Sequence, residues 1–292
     1  MNQARDALGA VSGELASLDA RWLGVALLFH LGNLACRTLA WRAILAAAYP
    51  RARVGVLDVG VAYAAGVAAN AYLPARAGEA VKIALVRLRV PGSTVAGVGS
   101  SGAVVLLFDG LVAASLLATG WATGAVPVLP SPSLPAVLVV AGATLAATVA
   151  LAAAPRLRAA VVEGATILRT PRRYLATVVP FQAAAWACRI GVVFALLSAF
   201  GVAASLPLAG LVVVAGGLST AVPATPGGAG TQQLLVVLAL QHVASAGTAL
   251  TFSIGMQVGV TVTNTLLGVA ALVLCFRTLR PAEIRAALSR AS

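Results

Sequence analysis

The chain has 292 residues, of which 60% are hydrophobic and 10% charged, with a mean hydropathy of +0.98 and a net charge of +12. That composition excludes a water-soluble domain of this length and specifies an integral membrane protein. The bases lie between apolar runs and form no stripe interleaved with aromatics, so nucleic acid is not an expected partner.

From the N-terminus, residues 1–21 set Ala4, Leu8, Val11, Leu15 and Leu18 on one helical face against Arg5, Asp6, Glu14 and Asp19, the pattern of an interfacial amphipathic helix. Apolar runs able to cross about 30 Å of hydrocarbon, at about 20 residues each, begin at Trp22, Val54, Ser93, Leu134, Leu175, Leu206 and Ala249. They predict an all-α, polytopic membrane protein of about seven or eight transmembrane helices. The first run carries Arg37 and lacks a cleavage site, so it reads as a retained span and not a signal peptide. Cys36, Cys188 and Cys275 all lie in apolar runs and are odd in number, against a disulfide framework.

The basic connection with Arg156, Arg158, Arg169, Arg172 and Arg173, and the tail with Arg277, Arg280, Arg285 and Arg290, are both expected on the cytoplasmic side. The uncharged "GAVPVLPSPSLP", Gly124 to Pro135, reads as an external loop, and Arg51 and Arg53 fall outside in this scheme. The segments are then a first membrane repeat over 22–154, a basic linker over 155–174, a second repeat over 175–279 and a tail over 280–292, together one membrane domain. The expected location is the cytoplasmic membrane, as a multi-pass protein whose bases also touch anionic lipid.

A gapless shift of 152 residues lays Ala35-Cys36-Arg37 on Ala187-Cys188-Arg189, Arg21 on Arg173, Pro74 on Pro226 and Gly78 on Gly230. The shared Cys-Arg pair and Pro-x-x-Ala-Gly indicate an internal duplication. It sets "LPARAGEAVK" from Leu73 opposite "VPATPGGAGTQQ" from Val222, so each half breaks a helix, or re-enters, at the same place. Broken helices at matched positions of two repeats point to a transporter binding site, because irregular backbone in hydrocarbon survives only against protein or a wet cavity. Half-helices starting near Ala77 and Thr231 would present backbone N–H groups to an anion such as phosphate. A full crossing by Thr231 to Gly247 is expected, since it returns the Arg-rich tail to the cytoplasm.

His30, Asn33 and Arg37 share one face of the first span by their spacing, and Arg189 repeats the Arg in the second half. A midspan Arg costs about 2.5 to 3.5 kcal/mol on insertion scales, which favours a cavity-facing, substrate-binding role for Arg37 and Arg189. The structural alternative is an ion pair with Glu79 or Asp109. Those two acids are also the candidates for proton or ion coupling. His30, Gln257, Asn264 and His242 read as interhelical hydrogen bonders, whereas Lys82, Arg87 and Arg89 read as snorkelling to the inner surface. "GGAGT" lacks the Lys of a P-loop, His30 and His242 are far apart, and no G-x-S-x-G appears, so no nucleotide, metal or other cofactor is expected.

Asn70-x-x-x-Pro74-x-Arg76-x-Gly78-Glu79, followed by Pro223-x-x-Pro226-Gly227-Gly228-x-Gly230-x-x-Gln233, resembles the flippase-like membrane family typified by the N-terminal region of lysylphosphatidylglycerol synthetase/flippase proteins. The resemblance spans nearly the whole chain. It implies lipid translocation, with Arg76, Gly78 and Glu79 functional in one motif and Pro226, Gly227, Gly228 and Gly230 in the other. Gln232 and Gln233 stand where members of the family often carry an acid. With the chain ending at Ser292, no aminoacyl-transferase domain is expected, and a lipid-modifying enzyme would be a separately encoded partner. The expectation is therefore a transporter and not an enzyme: a flippase or scramblase for an anionic phospholipid or polyprenyl-phosphate-linked head group, which could form homo-oligomers. The alternatives are a membrane phosphatase acting on a polyprenyl pyrophosphate, for which "PATPGGAG" offers only Thr225 as a hydroxyl, and a non-transporting regulator of a lipid enzyme.

Overall fold

The computed structural model describes residues 18–73, 77–122, 159, 162–219 and 230–278. Within them the secondary structure is helical: α1 (Ala20–Ala48), α2 (Val56–Tyr72), α3 (Gly78–Arg89), α4 (Val95–Ala122), α5 (Pro171–Thr177), α6 (Val179–Ala199), α7 (Leu206–Ser219), α8 (Thr231–Leu240) and α9 (Ala246–Thr278), with a short 3-10 turn at Thr166–Arg169. Among the described residues, four apolar stretches are long enough to cross a membrane, Ala20–Ala48, Val95–Gly120, Pro171–Ala199 and Ala246–Leu274. The protein is an α-helical, multi-pass membrane protein. Leu28, Leu57 and Leu266 are 70%, 73% and 67% exposed among the described residues, as side chains solvated by lipid can be. The expected amphipathic helix over 1–21, the run from Leu134 and the tail over 280–292 lie wholly or mostly outside those residues.

Contacts fix the directions of the helices. Asp19 N–H bonds Ala199 O at 3.4 Å, so α1 starts where α6 ends. Ile167 and Val178 pack with Ala40, Ile44 and Ala47, so α1 ends where α6 starts. Along this antiparallel pair, small residues let the helices close: a Cβ on Gly32 would sit 3.2 Å from Cys188 Sγ.

At the end of α1, Tyr49 Oη accepts from Thr94 N–H at 3.4 Å, and Thr94 Oγ1 donates to Glu163. Arg42 Nε holds Val54 O at 2.9 Å. The loop with Arg51 and Arg53 therefore lies on the same face as Arg169, Arg172 and Arg173, not opposite them as the sequence scheme has it. The reason is that α2 and α3 together do not cross: Asp58 near the start of α2 pairs with Arg89 at the end of α3 at 3.7 Å, so the two helices return to the face they left. Leu73, extended at φ −95° and ψ 135°, ends the way in, as the residue before a proline must.

The second short pair enters from the other face. Gly216 near the end of α7 and Gln232 near the start of α8 both line a central cavity, whereas Leu208 and Leu240 at their other ends pack with Val202 and Ala249. The expected crossing by Thr231 to Gly247 is thus replaced by a re-entrant helix. Ten residues rise only about 15 Å, half of the hydrocarbon thickness. α9 still ends on the basic face, because it runs antiparallel to α2. Gly268 approaches Ala64 O, and Ala270 and Leu274 share a groove with Val56 and Leu57. The order long, short, short, long thus occurs twice, in opposite senses across the membrane.

Candidate functional site

Both hairpins line a cavity of about 850 Å³ in the middle of the bundle. His30, Asn33 and Arg37 line it together, as their helical spacing requires, and the next turn of α1 adds Trp41. Arg37 is buried, and its Nη1 lies 2.5 Å from Asp109 Oδ2 on α4. The other carboxylate oxygen accepts from Trp186 Nε1 on α6 at 2.8 Å, and the Arg189 guanidinium lies 5.6 Å from the Trp186 ring centroid. Asp109 thereby joins the two matched arginines through one carboxylate and one indole. The sequence left Arg37 a choice of two acids; the structure pairs it with Asp109.

Glu79 belongs to a second cluster, at the tip of the first hairpin. Its Oε1 accepts from Lys82 Nζ at 2.8 Å and from Asn70 Nδ2 at 3.3 Å. Lys82 is buried, with Nζ 4.6 Å from the Tyr63 ring centroid and 6.0 Å from that of Trp41, in cation–π range. This corrects the snorkelling expectation for Lys82: the chain reverses at the hairpin tip, so this lysine points into the bundle. Arg89 turns to Asp58 instead. Trp41 is fixed in turn by donating to Ser101 Oγ at 2.9 Å.

Of the glycine motifs, Gly78 faces α2 and not the cavity. A Cβ there would run into Gly66 O and Asn70 Oδ1, and its own N–H donates to Asn70 Oδ1 at 2.8 Å. Gly230, at φ +85°, makes the left-handed turn into α8, and its N–H donates to Gln233 Oε1 at 2.6 Å. Both half-helices start where the sequence puts them, with these N–H groups already engaged inside their own hairpins. Arg76, Pro226, Gly227 and Gly228 lie outside the described residues.

His30 Nε2 and Asn264 Oδ1 are joined at 2.8 Å, and Gln233 bonds Gln257, so three of the expected interhelical hydrogen bonders act as such. His242 is exposed in the turn after α8. Asn33 Oδ1 is a buried acceptor on the cavity wall with no partner among the described residues. Sequence reasoning missed Trp41, Tyr63 and Trp186. Their signal is weak, because an aromatic in an apolar run looks the same whether it faces lipid or a cavity.

Among the described residues, three bases (Arg37, Lys82 and Arg189) and two carboxylates (Glu79 and Asp109) line the cavity, an excess of one positive charge. Such a site can accept one anion while every charge on its wall keeps a neighbour.

A family model described as the lysylphosphatidylglycerol synthase TM region matches residues 6–268, which takes in both hairpins and the whole cavity. No curated protein matches the chain.

Proposed function

The chain belongs to the lysylphosphatidylglycerol synthase TM-region family, and from that premise we propose that it is a lipid flippase or scramblase of the cytoplasmic membrane, moving an anionic phospholipid head group or a polyprenyl-phosphate-linked one. The observation that carries this reading is the placement of Arg37, Lys82 and Arg189 in one cavity between hairpins that enter from opposite faces. A bare charge at the bilayer centre is costly, so a route for a phosphate must supply donors at mid-depth, while the acyl tails can remain in lipid. The halves related by the 152-residue shift act here as an inverted repeat, each contributing two long helices, one hairpin and one arginine. No catalytic step is assigned to the chain; the lipid is the cargo.

The test is head-group movement in protein-only liposomes carrying labelled phosphatidylglycerol. Wild-type protein is expected to equilibrate the label between leaflets, and Arg189→Gln to slow it about tenfold or more, as for loss of one charge-assisted contact of about 1.5 to 3 kcal/mol. Label that stays in its leaflet with folded wild-type protein present would end this reading. Release of phosphate from a polyprenyl pyrophosphate would replace it with the enzyme alternative.

A further inference from the structure

We propose that Lys82 is the head-group-selecting cation of the cavity, and that Glu79 is a built-in competitor that a lipid phosphate displaces from it. The proposal rests on the lipid-transport reading and adds to it a residue and a substrate class, a phosphate ester with an oxygen free to accept hydrogen bonds. Its ground is an asymmetry within one ion pair. The Lys82 side chain is 11% exposed and that of Glu79 is 49% exposed. The lysine stem runs past Gly66, where any side chain would collide with it, and its ammonium rests by the Tyr63 ring.

The lysine is therefore held by its surroundings, and the glutamate chiefly by the lysine and by Asn70. Two donors, Lys82 Nζ and Asn70 Nδ2, converge on the single oxygen Glu79 Oε1, the arrangement that a phosphate oxygen needs. An ion pair three residues apart with a half-exposed acid is weak, so an incoming phosphate can take both donors as the carboxylate swings toward the open side. A zwitterionic head group also carries a phosphate, but its ammonium meets the positive excess of the wall. The site therefore prefers phosphatidylglycerol over phosphatidylcholine.

The experiment uses the full chain in nanodiscs of phosphatidylcholine doped with phosphatidylglycerol, with the lipid that stays bound on release counted by native mass spectrometry. Glu79→Gln is expected to raise the preference for phosphatidylglycerol several-fold, because the competitor loses its charge. Lys82→Met, which keeps the stem against Tyr63, is expected to abolish that preference, and Lys82→Arg to restore part of it. Unchanged preference in Lys82→Met, or a loss of preference in monodisperse Glu79→Gln, would overturn the proposal.

Inorganic phosphate that chases phosphatidylglycerol from the wild type would identify the phosphate itself as what Lys82 reads. Failure of that chase, with the Lys82 dependence intact, would assign the ligand to the lipid head group. Lys82-dependent binding without head-group movement in liposomes would leave the subsite standing and remove transport. Movement indifferent to both substitutions would do the reverse.

Discussion

Asp109 neutralises Arg37 with one oxygen and accepts from Trp186 with the other, so each of its neighbours depends on it. Truncating one member of such a pair strands the other charge in a low-dielectric setting, a loss of about 3 to 5 kcal/mol. Asp109→Ala is therefore expected to lower thermal stability in detergent by that order. The joint replacement Arg37→Met with Asp109→Leu should recover most of it, and a double-mutant cycle gives the coupling. If the double variant is no more stable than Asp109→Ala alone, the pair is not what holds this corner. Arg37, Arg189, Asp109 and Glu79 were legible in the sequence because charge in hydrocarbon is too costly to be incidental. Lys82 was not. It sits in one helix with Arg87 and Arg89, and only the reversal of the chain at the hairpin tip turns the lysine inward while the arginines stay at the surface.

The first hairpin closes on glycine at both sides. Any side chain on Gly66 meets the Lys82 stem, and its Cβ would lie 2.8 Å from Gly78 O. Gly66→Val should push α2 and α3 apart and cost about 1 to 3 kcal/mol, read as a lower melting temperature. Gly259→Ala, whose Cβ meets no described atom within 4 Å, should be neutral or slightly stabilising by the same measurement. Equal effects from the two would mean that the glycine contact is not what sets the hairpin. The break after Tyr72 and the start of α8 after Gly230 could be read from Pro74 and from the 152-residue match. That α8 turns back was not legible. A run of apolar residues records only that its surroundings are apolar, and residues 231–247 could have been one crossing had the chain not turned at Gln241 to Ala244.

At the scale of the whole molecule, the arginines of the first loop, the α3 end and the central connection gather on one face. The positive-inside rule predicts that this face is the cytoplasmic one. Single cysteines at Arg51 and Arg172, in a background with Cys36, Cys188 and Cys275 replaced, are expected to react with a membrane-impermeant maleimide only after the cells are permeabilised. A cysteine at Ser205 should react in intact cells. Labelling of the Arg51 position from outside with the Arg172 position still protected would contradict the fold, in which α1 ends beside the central connection. The composition alone settled the membrane class, but the side of each loop depended on counting crossings, and that count went wrong at the first hairpin.

The polar wall of the cavity is also divided unevenly along the chain. Arg37, Lys82, Glu79 and Asp109, two bases and two acids, all belong to the segment through α4. Arg189 comes later, on the same helix as Trp186, the indole that lies beside it and donates to Asp109. Ribosomes deliver the N-terminal part first. What enters the bilayer early is thus a set of helices whose described cavity charges sum to zero and can pair among themselves before translation ends. The late-arriving helix brings Arg189 and Trp186 together to a carboxylate that is already in place, so the stage of biogenesis most exposed to mutation is the first half, with Asp109 as its last-made counter-charge.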